Sequence, residues 1–112
     1  MGLSRSQSIA SQAEFQRVFR LGTRRAGACL KVCAARSTEG RTRYGMAVGR
    51  RVGGAVVRNR VKRVLREQLG ELRVTEPWDV VVVARPESAS RSSRQIGIEL
   101  RQLFARAGVD VG

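Results

Sequence analysis

The chain has 112 residues, 42% of them hydrophobic, which is enough for one modest core and one domain. Its 22 Lys and Arg against 9 Asp and Glu give a formal net charge of +13. Such a charge predicts a polyanionic partner and favours nucleic acid. No apolar run approaches the roughly 18 residues of a spanning helix, and no basic helix exposes aromatic residues, so a membrane partner is not expected. The N-terminus lacks the apolar segment of a secretory signal, and the expected location is cytoplasmic.

The first predicted element is a short helix beginning after Ser11. The segment Ser-Gln-Ala-Glu fits a capping box, with the Ser11 hydroxyl accepting from the amide of Glu14 and the Glu14 side chain returning to the cap. Gly22 is expected to end the helix in the left-handed conformation. Residues 1–10 are polar and expected to be loosely ordered. Phe15 and Phe19 share one helix face, where they can either fill a core or remain available for contact.

Two strands are predicted next, near residues 28–36 and 43–50, joined by a loop of turn-forming composition. Cys29 and Cys33 fall in the first of them, roughly 13 Å apart at the rise of a strand. That distance is too long for a disulfide, so both thiols are expected to be reduced. Without any histidine, two thiols cannot supply a four-ligand zinc site.

A basic helix is predicted from about residue 55 to residue 71. At about 100° per residue its apolar side chains gather on one face. They are Val57, Val61, Val64, Leu65 and Leu72. Arg58, Lys62 and Arg66 form a ridge at i, i+4 and i+8, with Asn59 and Arg63 beside it. No acidic residue interrupts residues 50–66, and these like charges repel, which favours contact with a polyanion over an ordinary solvated face.

An unbroken apolar strand is predicted at residues 78–85, where the run of valines indicates a central position in a sheet. After a serine-rich linker, a last helix carries apolar residues at helical spacing and ends at Gly108. The order αββαβα predicts an α+β fold, a single-domain sandwich spanning residues 1–112 with helices packed on a small central sheet.

Three motifs in this order resemble the protein component of bacterial ribonuclease P, and together they cover most of the chain. They are Glu14-Phe15-x-x-Val18-Phe19-x-x-Gly22, Arg58-Asn59-Arg60-x-Lys62-Arg63-x-x-Arg66-Glu67 and Asp79-Val80-Val81-Val82-Val83-Ala84-Arg85-Pro86. The family usually has Asn where this chain has Gly54, and an aromatic residue where it has Cys33.

The resemblance implies a ribosomal-protein-S5-domain-2-like fold with a left-handed βαβ crossover between the second and third predicted strands. It also implies a single RNA-binding domain that binds a catalytic RNA subunit and the 5′ leader of precursor tRNA. In such an enzyme the RNA performs the metal-dependent endonucleolytic cleavage with Mg²⁺, and the protein itself holds no metal. Neither DNA nor a membrane is an expected partner.

The resemblance also assigns two sets of site residues. Those matching the signature for docking on the catalytic RNA are Arg58, Asn59, Arg60, Lys62, Arg63 and Arg66. Arg60 lies off the main ridge by helical angle. Those expected at a leader-binding cleft are the aromatics Phe15 and Phe19 and the cations Arg17, Lys31 and Arg43. A base stacked on a ring would suit leaders of any sequence. Arg20, Arg24 and Arg25 flank the first helix and could also guide phosphates, whereas each of these cations could equally be an ordinary exposed charge.

No catalytic constellation is present. The nine carboxylates are scattered singly, and there is no histidine for acid–base cleavage at neutral pH. The chain is therefore not expected to cut RNA alone. The alternative to a ribonuclease P subunit is a non-enzymatic ribosomal or ribosome-assembly protein of similar size and charge.

Overall fold

The computed structural model describes residues 7–9 and 11–111. The elements in this part of the chain are α1 (Gln12–Leu21), β1 (Thr23–Ala26), β2 (Leu30–Arg36), β3 (Arg43–Ala47), α2 (Ala55–Gly70), β4 (Trp78–Ala84) and α3 (Ser93–Arg106). The α+β class and the three helices are as predicted, but the predicted order lacked β1. This strand has only four residues, all exposed, so it shows no hydrophobic pattern.

The sheet has the strand order β1-β2-β4-β3. β4 lies between antiparallel β2 and parallel β3, which confirms the central position predicted from its valines. Val80, Val81 and Val82 are completely buried. Because β3 and β4 are parallel neighbours, α2 forms the crossover of a βαβ unit. The left-handedness of this crossover, implied by the resemblance, stays a prediction.

The two faces of the sheet carry cores of different size. On the larger side, α2 and α3 pack on alternate strand residues such as Val32 and Val80, and Phe104 lies 6.2 Å from the ring of Tyr44. Each fully buried Leu or Phe here contributes roughly 1.5–3 kcal/mol. The predicted apolar face of α2 is confirmed by its buried residues, which are Val61, Val64, Leu65 and Leu69. Val57 is only half-buried, and Leu72 lies beyond the end of the helix.

The smaller core lies on the opposite face, beneath α1. It is formed by Ile9, Val18, Cys33, Ala35 and Val81. Ile9 is 5% exposed, and its amide donates to the Tyr44 carbonyl at 2.8 Å. The expected looseness of residues 1–10 is therefore wrong at Ile9, because an apolar side chain there completes this core; residues 1–6 and 10 lie outside the described part.

The ends of α1 agree with the sequence in part. The Ser11 hydroxyl accepts from the Glu14 amide at 3.1 Å, as predicted, but the Glu14 carboxylate accepts from Arg43 at 2.9 Å instead of returning to the cap. Gly22 has a φ of −85°, so the expected left-handed end is wrong. The chain instead runs directly into β1, and a Cβ at Gly22 would lie 2.8 Å from the Ala34 carbonyl oxygen.

The end of α3 matches expectation, since Gly108 has a left-handed φ of 84°. Both cysteines are buried and free, as expected. Burial raises the pKa of the Cys29 thiol to about 11, assisted by the nearby Glu99 carboxylate, and burial also raises the pKa of Cys33. Neither thiol is poised to react. Among the described residues, no helix combines the length and apolarity needed to cross a membrane.

Candidate nucleic-acid interface

An open cleft of about 590 Å³ lies between α1 and the sheet. Phe15 and Phe19, one helical turn apart, both line it and remain half-buried. The other lining residues are Gln12, Gln16, Arg20, Arg24, Met46 and Ala47. An adjoining hollow of about 340 Å³ shares Phe19 and Arg24 and continues over β1 and β2 to Lys31 and Val83. The surface beside α1 is thus an aromatic groove with basic borders.

Phe15 lies directly on the sheet because β3 has a glycine beneath it. A Cβ at Gly45 would be 2.6 Å from Cε1 of the Phe15 ring, so no larger residue fits without moving the ring. One part of the ring packs against the smaller core, and another borders the cleft. The two roles that the sequence left open for Phe15, packing and contact, are both available to it.

Arg24 joins the aromatic row through β1. Its Nη2 donates to the Phe19 carbonyl at 2.6 Å, and its guanidinium carbon lies 5.8 Å from the centre of the Phe19 ring. The register Arg24↔Cys33 places its strand position on the α1 side of the sheet. The sequence offered Arg24 as a possible phosphate contact beside the first helix. Its position against Phe19 depends on β1, whose only sequence signals are Gly22 and Gly27 at its ends.

Arg43 does not project into the cleft, contrary to expectation. It is 5% exposed, and its Nε and Nη2 donate to the two carboxylate oxygens of Asp79 at 3.1 and 3.0 Å. These hydrogen bonds raise the pKa of the Arg43 guanidinium above its ordinary value. The cause is the parallel register of β3 and β4, which sets Arg43 beside Asp79, a fully buried carboxylate that needs a counter-charge. Arg17 also donates to Asp79 and does not line the cleft.

The basic residues of α2 extend from the edge of its buried face to its exposed side. Asn59, Arg63 and Arg66 are exposed, and Arg58 and Lys62 are half-buried. Among the described residues, the Nε of Arg58 is a buried side-chain nitrogen without a hydrogen-bond partner. Arg60 differs from this set, because its Nη2 donates to the Arg91 carbonyl at 2.9 Å and ties α2 to the segment before α3.

Side chains able to hold a metal do not cluster in the described part of the chain, where no group of three or more His, Cys, Asp or Glu comes together. Asp79 is committed to arginines, and Glu99 accepts from the amides of Cys29 and Leu30 at 2.8 and 2.7 Å. The chemistry that these surfaces offer is electrostatic and stacking.

A small α+β fold with a basic helix on one face of the sheet and an aromatic groove on the other defines an RNA-binding protein. The chain belongs to the ribonuclease P family, whose model, described as Ribonuclease P, matches residues 3–108. Among curated relatives, the ribonuclease P protein component of Exiguobacterium sibiricum is 34% identical, covering 96% of this chain and 95% of that protein. The protein component of Roseiflexus castenholzii is also 34% identical, covering 98% and 93%.

Solved structures agree with this assignment. A Staphylococcus aureus RNase P protein mutant with defective mRNA degradation activity superimposes with a TM-score of 0.86 at 28% identity, covering 95% of this chain and 92% of that one. The RNase P protein of Thermotoga maritima, at 22% identity, superimposes with a TM-score of 0.78, covering 88% and 96%, and supports the fold.

Family membership decides between the two functions that the sequence left open. Members are protein components of ribonuclease P, the ribonucleoprotein that processes tRNA 5′ ends, and this chain shares that role. Its partners are the catalytic RNA subunit and precursor tRNA, and the protein is not itself the catalyst. The relatives and structures named above are all ribonuclease P proteins, which favours this role over the ribosomal alternative.

Proposed function

We propose that the chain assists RNA-catalysed cleavage through two RNA-binding surfaces on opposite faces of its sheet. The docking ridge, which binds the catalytic RNA, is formed by Arg58, Asn59, Lys62, Arg63 and Arg66, with Arg60 at its base. The leader cleft, which holds the 5′ leader of precursor tRNA, is formed by Phe15, Phe19, Arg20, Arg24 and Lys31. The observation that carries this proposal is their placement, since opposite faces allow both RNAs to be held at once.

The docking ridge works by neutralising phosphates. Every phosphate paired with Arg or Lys releases condensed counterions, and this release drives association. RNA docking also removes the repulsion among Arg58, Lys62 and Arg66, which repeat every four residues along α2.

The leader cleft works by stacking and positioning. A base stacked on an aromatic ring gains about 1–3 kcal/mol whatever its identity, which suits an enzyme that meets many leader sequences. Arg20, Arg24 and Lys31 border the rings and can pair with the leader backbone. Holding the leader keeps the scissile phosphate near the Mg²⁺ ions of the RNA subunit, so the protein contributes orientation to a reaction that the RNA performs.

We infer that the chain acts as one RNA-binding domain in the bacterial cytoplasm. Its relatives are bacterial, and its RNA partners belong to that compartment. Two free, buried cysteines fit reducing surroundings.

The test is reconstitution with a bacterial ribonuclease P RNA at a magnesium concentration too low for the RNA alone. The chain should restore cleavage of precursor tRNA at the mature 5′ end, and without RNA it should leave the substrate intact. An unrelated protein of similar size and charge serves as the control, because any basic protein can reduce the repulsion between RNA phosphates. Equal rescue by that control, or cleavage by the chain after contaminating RNA is destroyed, would contradict the proposal.

A further inference from the structure

The carboxylate of Asp79 connects α1 to the sheet. Its Oδ1 accepts from Arg43 at 3.1 Å, and its Oδ2 accepts from Arg43 at 3.0 Å and also from Arg17 of α1. Glu14 of α1 completes the cluster by accepting from Arg43 Nη1 at 2.9 Å. Two strand residues and two helix residues therefore form one ionic tie, to which Glu39 of the β2–β3 loop adds a longer contact, its Oε2 lying 3.4 Å from Arg43 Nη1.

This tie lies on one flank of α1, and the leader cleft lies on the other. At about 100° per residue, Val18 falls between the direction of Glu14 and Arg17 and the direction of Phe15 and Phe19. Val18 is completely buried in the smaller core, whereas the other four side chains are only partly covered. The helix rests on the sheet along Val18, with ionic contacts to one side and aromatic contacts to the other.

Apolar packing alone fixes the rotation of α1 about its own axis only weakly. From α1 the smaller core receives the fully buried Val18 and the half-buried Phe15 and Phe19, and hydrophobic contact is not directional. Charge-assisted hydrogen bonds to arginine are directional, because the planar guanidinium presents its donors in a fixed arrangement. The ionic tie thus restrains the rotation of α1, which apolar packing restrains only weakly.

Rotation of α1 changes the cleft directly. The Phe15 ring lies against Gly45 so closely that a Cβ there would be 2.6 Å from Cε1. Turning the helix toward the tie lifts the rings from β3, and turning it the other way presses Phe15 onto the strand backbone. A restrained rotation therefore means a fixed distance between the rings and Met46 and Ala47, the strand residues of the cleft.

We propose that Asp79 and Arg43 are positioning residues for the precursor leader, which act by fixing the rotation of α1 and so the width of the leader cleft. Asp79 is 0% exposed and Arg43 5%, so neither can touch RNA. Their influence on the leader can only pass through Glu14, Arg17 and the helix. This inference rests on the leader cleft of the proposed function.

The decisive variant is Glu14→Gln in the reconstituted holoenzyme. A direct electrostatic effect and a positioning effect predict opposite signs. Removing a negative charge beside an RNA groove strengthens RNA binding, whereas replacing the charge-assisted bond between Glu14 and Arg43 by a neutral, weaker one loosens α1 and weakens binding. We expect affinity for precursor tRNA to fall on the order of tenfold relative to mature tRNA, which is about the loss of one base stacked on a ring. Glu76→Gln is the matched control, because Glu76 pairs with the exposed Arg36 and not with α1.

Arg43→Lys is the second variant. Lysine keeps the positive charge beside Asp79, but its single ammonium cannot reproduce the geometry that joins Asp79 and Glu14. If Arg43 only compensates charge, this variant retains the parent ratio of affinities for precursor and mature tRNA. Positioning predicts a lower ratio with unchanged affinity for the catalytic RNA, whose docking ridge lies on the other face.

Phe15→Ala in the same assay separates this inference from the function on which it rests. If Phe15→Ala loses its preference for the leader while Glu14→Gln and Arg43→Lys keep theirs, the cleft stands and the positioning role is overturned. If Phe15→Ala keeps full preference, the leader cleft is overturned and the positioning role with it. A leader-specific loss in all three, with none in Glu76→Gln, supports the assignment.

Discussion

Phe15 shows how much of one residue's surroundings could be predicted from the sequence. Its spacing from Phe19 is local, so both rings were placed on one helix face correctly. The contact between the Phe15 ring and Gly45 could not be predicted in this way, because Gly45 belongs to a strand thirty residues later in the chain. The misassignment of Arg43 has the same origin, since its partner Asp79 is 36 residues away and reaches it only through the parallel pairing of β3 and β4.

Phe15→Ala should weaken binding of precursor tRNA by about 1–3 kcal/mol, the value of a base stacked on a ring, and leave mature tRNA little affected. Titration of the assembled enzyme with substrates that differ only in the leader measures this. Ile98→Ala is the control, because Ile98 is an exposed apolar residue on α3. Equal losses for the two substrates, with a large drop in melting temperature, would return Phe15 to a purely structural role.

Tyr44 makes stability sensitive to alkaline pH. Burial raises its pKa from the ordinary 10 to about 12, so the unfolded chain loses the phenolic proton first. The stability that Tyr44 contributes is therefore complete below pH 10 and is lost as the pH rises toward 12. Because Tyr44 is the only tyrosine, tyrosinate absorbance follows it alone. We expect ionisation to coincide with unfolding; an ordinary titration near pH 10 in the folded protein would refute this.

At the scale of elements, α2 was predictable and β1 was not. A helix of 16 residues repeats its pattern over four turns, so both its buried and its basic side are visible in the sequence. β1 has four exposed residues and is a strand because it pairs with β2. Pairing of so short a segment produces no recognisable pattern in the sequence. The sequence therefore indicated Arg24 only as a cation flanking α1, and its place 5.8 Å from the centre of the Phe19 ring depends on β1.

Replacing Arg58, Lys62 and Arg66 of α2 together by Ala should weaken binding to the catalytic RNA and flatten its salt dependence. Up to three fewer phosphates are neutralised. The slope of log affinity against log salt, which is negative, should therefore become shallower by up to about 3. The fold should persist, since none of the buried residues of α2 is replaced and Ala favours helix. The measurement is affinity at several salt concentrations.

The matched control for that variant removes the same charge from α3, through Ala at Arg94, Arg101 and Arg106. If the two triple variants lose affinity equally and with the same slope, net charge alone determines binding and α2 is not a specific docking surface. A larger loss for the α2 variant assigns the contact to the ridge.

For the whole molecule, the sheet separates the two RNA surfaces. α1 packs on one face through the smaller core, and α2 packs on the other through the larger one. The sequence predicted helices on a central sheet, but it could not say which helix covers which face, because that depends on how distant strands pair. The division of labour between the faces is therefore a result of topology.

This separation predicts that the two surfaces act independently. Distant sites without shared partners usually add within about 0.3–0.5 kcal/mol. With enough protein to saturate the catalytic RNA, Phe15→Ala should cost the same leader-dependent free energy in the parent as in the α2 triple variant. A double-mutant cycle on precursor binding measures this, and a coupling energy above about 0.5 kcal/mol would show that the faces communicate through the sheet.

The position of β4 in the sheet also bears on when the leader cleft can form during synthesis of the chain. β4 is the last strand of the chain but an inner strand of the sheet, and both β2 and β3 hydrogen-bond to it and not to each other. A nascent chain of 77 residues therefore has its basic helix but no shared partner for the strands beneath it. We therefore expect a chain that ends before β4 to carry the basic residues that attract RNA but to lack the assembled sheet beneath the leader cleft.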